Sequence, residues 1–144
     1  MTFLDLAALF IRWGYLIKPN HYKSFELYFR EMLKRNRVMI VQNDTEIQAV
    51  LTYFLTDNYE TLYKKGHWDI PHENPEGHQI YVDKMICKNW KVPIRRIVQD
   101  LIEDSFPNVM EGHYHRAPCD RHIKIMRRRR EYGIQNSSLV GSGV

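Results

Sequence analysis

The sequence predicts a single-domain α/β protein with a mixed sheet, N-terminal helices, a hairpin and a strand–helix–strand unit. Three observations carry this. Two stretches with helical apolar repeats come first, over 3–17 and onward from Asn20. Two β-rich runs then flank a short polar turn at 42–45. Last, an apolar run at 80–87 is followed by an amphipathic repeat and a further strand-like run. The change of period from helical to alternating marks each boundary. At 144 residues the chain has a one-domain length.

Each element follows from local chemistry. Residues 3–17 are apolar on nearly every side, as in a well-covered helix, with Gly14 and Pro19 at its weak end. Asn20 is suited to cap a second helix, where Phe25, Tyr28, Phe29, Met32 and Leu33 recur at helical spacing. Lys34, Arg35 and Arg37 suit the negative end of its dipole. Val38–Val41 and Ile47–Leu55 read as a hairpin. Residues 56–79 are polar, with two prolines and two glycines, and read as a long loop; loops of that length are often functional. Ile80–Cys87 is a third strand, 88–92 a connector, and Pro93 a good first helical residue. Ile94, Ile97, Val98, Leu101 and Ile102 form an amphipathic helix that Phe106-Pro107-Asn108 ends. Val109–Arg116 is a fourth strand and His122–Arg127 a fifth. The strand–helix–strand unit implies a parallel pair with a right-handed crossover. The domain spans 1–132, and the Asn-, Ser- and Gly-rich stretch 133–144 reads as a flexible C-terminal tail, open to an assembly partner.

Composition excludes several classes. Apolar residues make up 44% and charged residues 26%, so the chain is neither largely disordered nor fibrous. Cys87 and Cys119 are too few for a disulfide framework and suit a reducing, cytoplasmic setting. The apolar stretch at 3–17 is interrupted by Asp5 and Arg12 and is shorter than a bilayer span, so no membrane span is expected. The net charge of +4 is unevenly placed. Residues 116–130 carry seven basic side chains against Asp120, leaving the rest of the chain at −2. A basic patch of this kind meets phosphate, in a nucleic acid or in a cofactor. Arg127–Arg130, with His122 and Lys124, are the candidate nucleic-acid contacts.

The order of elements resembles the GNAT superfamily of N-acetyltransferases over about residues 3–130. The matching pieces are the hairpin 38–55, the strand Ile80–Cys87, the helix Pro93–Asp104 and the strand Val109–Arg116. Asp83, Phe106-Pro107 and Arg116 also resemble pieces of the toxin-activating lysine acyltransferases of that superfamily. The resemblance implies transfer of an acyl group from acetyl-CoA, another acyl-CoA or an acyl carrier to an amine, on a small molecule or a protein lysine. It places the donor's pyrophosphate between strand and helix, where family members carry Arg/Gln-x-x-Gly-x-Gly/Ala. This sequence has Asn89–Arg96 there, with Pro93 and Arg95 at the glycine positions. The implied cofactor-binding residues are Cys87, Lys88, Trp90, Lys91, Ile94, Arg95 and Arg96.

Acyl transfer needs a neutral amine and a proton route. Asp83 and His115 are the candidate groups beside the amine. His21 is a third, by analogy with an early catalytic histidine in the toxin-activating branch. His113 shares a strand face with His115, while Tyr114 points to the other face and into the core. His113, His115, Cys119 and His122 match no common zinc-module spacing, so no metal is expected. Trp13 reads as core, and Trp68 as part of a lid or partner surface. The alternative to an enzyme is a GNAT-like scaffold without a cofactor groove, acting as a binding or structural protein. Pro93, Arg95 and Trp90 point that way.

Overall fold

The computed structural model describes residues 1–63, 68–89, 91–116 and 120–128. The expected tail at 133–144 and Arg129, Arg130, Trp90 and Cys119 lie outside the described residues. Elements run in the order α1 (Phe3–Arg12), α2 (Tyr22–Lys34), β1 (Val38–Gln42), β2 (Ile47–Thr56), α3 (Tyr59–Tyr63), β3 (Gln79–Cys87), α4 (Ile94–Ser105), β4 (Glu111–Arg116) and β5 (Arg121–Met126). The sheet order is β1-β2-β3-β4-β5. All neighbours are antiparallel except β3 and β4, the expected parallel pair.

Helix α1 ends earlier than the apolar run suggests. Gly14 adopts a positive φ of 79°, and Tyr15 N–H reaches back to the Phe10 carbonyl at 2.9 Å while Gly14 N–H bonds Ile11 at 3.1 Å. This is a Schellman stop, which the positive φ of glycine makes accessible. At its other end Thr2 and Asp5 form a reciprocal capping box. Asn20 does not cap α2: residues Pro19–His21 make a 3-10 turn and the helix begins at Tyr22. Its far end is a second Schellman stop, with Asn36 at φ 59° and Arg37 N–H on the Met32 carbonyl at 2.9 Å. Pro93 stands at the N-cap of α4, one residue before the helix.

The sheet separates two apolar layers. On one face α4 buries Val98, Leu101 and Ile102 against Ile80, Val82, Tyr114 and Ile125. Gly112 makes this approach close, since a Cβ there would lie 2.9 Å from Ile102 Cδ1. On the other face α1 and α2 bring Leu6, Phe10, Phe25, Tyr28, Phe29 and Met32 against Val50, Phe54, Tyr81 and Ile86.

The 56–79 segment is not a free loop. It contains α3, and Glu73 returns to the sheet, accepting from Arg37 Nε at 2.7 Å and from the Leu55 N–H at 2.9 Å. Arg127, expected to meet phosphate, is turned inward instead. Its guanidinium donates to the carbonyls of Val109, Ile102 and Phe106 at 2.7, 2.7 and 2.5 Å. It thereby caps the C-terminal end of α4 and the start of β4. Arg121, Lys124 and Arg128 are exposed.

Candidate functional site

Two irregularities in the central strand make the site. The first is a splay. Strands β3 and β4 pair only from Gln79–Tyr81 to Glu111–His113, and no ladder continues beyond. The second is a bulge. Thr52 pairs with Lys84 and Tyr53 with Val82, so Asp83 is the extra residue. A bulge turns two consecutive side chains to one face. Asp83 and Lys84 both meet Tyr28 on the α2 side.

A cleft of about 450 Å³ opens where the strands part. Met85 and Cys87 line it from β3, Tyr114 and Arg116 from β4, and Val92 and Ile94 from the start of α4. Lys88 and Asn89 line it from the turn after β3, and Trp13 and Tyr15 from the segment after α1. The Tyr15 hydroxyl donates to the Cys87 carbonyl at 3.2 Å and accepts from the Cys87 N–H at 3.3 Å. One phenol thus satisfies both main-chain groups at the end of β3. Burial pushes the Cys87 thiol up, with Arg116 opposing, which disfavours the thiolate.

Of the residues implied for cofactor binding, Cys87, Lys88 and Ile94 line the cleft. Lys91, Arg95 and Arg96 are exposed around the start of α4 instead. The Lys91 N–H is taken by the Asn89 side chain at 2.9 Å, and the Ile94 N–H by the Val92 carbonyl at 2.9 Å. Lys88 pairs with Glu46. The sequence did not single out Met85, Tyr15, Val92 or Arg116 as cleft residues. Trp13 and Tyr114, expected in the core, also line the cleft. Only the Trp13-Gly14-Tyr15 run, aromatics flanking a helix stop, hinted at this.

The three candidate catalytic groups sit in separate settings. Asp83 accepts from the Tyr28 hydroxyl at 2.5 Å, and Tyr28 in turn lies 2.7 Å from Thr52 Oγ1. Burial and the Asp83 carboxylate hold the Tyr28 phenol well above its usual range, so it stays a donor to Asp83. His115 Nδ1 lies 3.1 Å from the Tyr81 hydroxyl. His21 lines a second cavity, of about 460 Å³, that shares Tyr15 and Met85 with the cleft.

His113 and His115 do share a face, as the two-residue spacing requires, and Tyr114 is buried on the other. His113 Nε2 meets Glu111 Oε1 at 2.8 Å, and its Nδ1 meets His122 Nε2 at 2.9 Å. With Glu111 ionised, His113 donates to it and accepts from His122. Tyr59 stacks on His113 at 3.9 Å. Among the described residues no group of three or more His, Cys, Asp or Glu is placed to hold a metal ion.

This cluster gives a pH prediction. Burial lowers the His113 pKa below 6.5, against the pull of Glu111, and burial also lowers His115. The unfolded chain therefore takes up protons first as pH falls through about 6.5, so stability is lost on acidification there. The melting temperature should fall from about pH 7.5 to about pH 5.5, and less steeply in His113→Gln. An identical slope in the variant would remove His113 from the account.

No protein-family model and no curated protein matches the chain. No helix among the described residues is long and apolar enough to cross a membrane.

Proposed function

We propose that the protein is an N-acyltransferase of GNAT type, taking an acyl group from coenzyme A or an acyl carrier and passing it to an amine. The observation that carries this is the parallel β3–β4 pair that parts after Tyr81 and His113 into an apolar cleft with cations at its mouth. A slender acyl-thioester arm suits such a cleft, where the Tyr15 hydroxyl holds the Cys87 main-chain groups at the end of the parted strand. Lys88, Arg116 and the exposed Arg95 and Arg96 supply positive charge for a pyrophosphate.

The fit is through side chains and not through loop amides. Pro93 has no N–H, and the Ile94 N–H is already bonded. Bound coenzyme A would supply the activated acyl thioester. Asp83, oriented by Tyr28, and His115, oriented by Tyr81, are the groups this proposal assigns to accepting the amine's proton.

Calorimetric titration with acetyl-CoA and free coenzyme A tests it. Saturable binding is expected, weakened about tenfold or more in the Arg95→Ala, Arg96→Ala double variant, since charge-assisted bonds to phosphate contribute about 1.5–3 kcal/mol each. Met85→Trp, which fills the cleft, should abolish binding. Failure of both ligands to bind favours instead a GNAT-like scaffold acting as a binding or structural protein, a reading that Pro93 and the exposed Arg95 at the glycine positions support.

A further inference from the structure

The second cavity has its own chemistry. Its walls include Phe10, Ile17 and Trp68, and its polar lining is Lys18, His21 and Lys84. The bulge at Asp83 is what sends Lys84 to this face, because in an unbroken strand Asp83 and Lys84 would point to opposite sides. Lys84 Nζ lies 5.0 Å from the centre of the Trp68 ring and 5.7 Å from that of Tyr28. Among the described residues it makes no hydrogen bond or ion pair. A partly buried ammonium against two aromatic faces, with the Asp83 and Asp69 charges acting on it from nearby and no carboxylate bonded to it directly, is costly to keep charged.

We propose that this cavity binds a carboxylate-headed ligand with an apolar body, the carboxylate on Lys84 Nζ with His21 beside it, and the body against Phe10, Ile17 and Trp68. Lys84 is the partly buried ammonium of the lining, Lys18 being exposed, and a monovalent carboxylate matches that one charge among apolar walls. The cavity volume lies within the range that takes small organic ligands. Burial lowers the Lys84 pKa, while Asp83 and Asp69 oppose this. A bound carboxylate would favour the charged amine further. The proposal stands on this cavity and does not depend on acyl transfer.

Octanoate and octan-1-ol, which share a chain and differ in charge, are the probes. Calorimetry on the full chain should show octanoate binding about tenfold or more tighter than octanol, the ratio expected for one charge-assisted hydrogen bond. Lys84→Met should bring that ratio to about one while leaving octanol binding within about twofold, and Lys84→Arg should keep the preference. Equal affinity for the two probes in the wild type, no binding of either, or a preference that survives Lys84→Met overturns the proposal. The wild-type comparison holds even where a variant fails to fold.

Discussion

Replacing Glu73 with alanine is expected to destabilise the fold by about 3–5 kcal/mol, the cost of removing one partner from a buried ion pair. The Glu73 and Arg37 side chains are only 8% and 16% exposed, and their contact is 2.7 Å long. Losing the carboxylate strands the Arg37 guanidinium between the Tyr53 and Phe106 rings, and leaves the Leu55 N–H without its acceptor. The control is Glu26→Ala, which breaks the surface pair with Arg30, where the two side chains are 47% and 56% exposed. That change should cost well under about 1 kcal/mol. Urea unfolding of both variants decides the matter, and equal midpoints would mean that the Glu73 pair contributes no more than a surface one.

Replacing Arg127 with alanine is expected to cost about 3 kcal/mol, because three carbonyls and the Glu103 carboxylate lose a shared partner. Lysine should not restore the loss. The contacts come from three different nitrogens of one planar fork, which an ammonium cannot reproduce. Arg128→Ala, by contrast, changes an exposed side chain and keeps the main-chain N–H bond to Glu103, and should leave stability nearly unchanged. Thermal melts of the three variants separate these cases. An Arg127→Ala protein as stable as the wild type would return this arginine to the solvent-facing basic patch that the sequence suggests.

Much of the sheet was legible because its signals are local. The alternation at 47–55, the apolar run at 80–87 and the helical repeat from Ile94 to Ile102 each name an element within three residues of where it lies. The stops of α1 and α2 were harder. They depend on which residue takes a positive φ: Gly14 stood out as the weak end of the first helix and the basic cluster at 34–37 as the end of the second, whereas Asn36 itself did not. The Glu73 anchor and the role of Arg127 were not legible, because their partners lie 36 and 18 to 25 residues away. In sequence both look like solvated charges. The cleft was half legible. Cys87, Lys88 and Ile94 were among the residues the family resemblance implied, whereas Tyr15 and Trp13 arrive from a different part of the chain.

The α/β class, the five strands and the three longer helices were readable from the residue pattern, because hydrophobic period and turn chemistry act over a few residues; α3, inside the polar 56–79 segment, was not. The bulge at Asp83, the parting of β3 from β4 and the return of Tyr15 to the end of β3 belong to the packed fold. The Tyr15 contact joins residues 72 apart in the chain, and the other two are matters of register between strands. A one-residue shift there redirects every side chain beyond it, and here it sets Lys84 beside Tyr28 and Trp68.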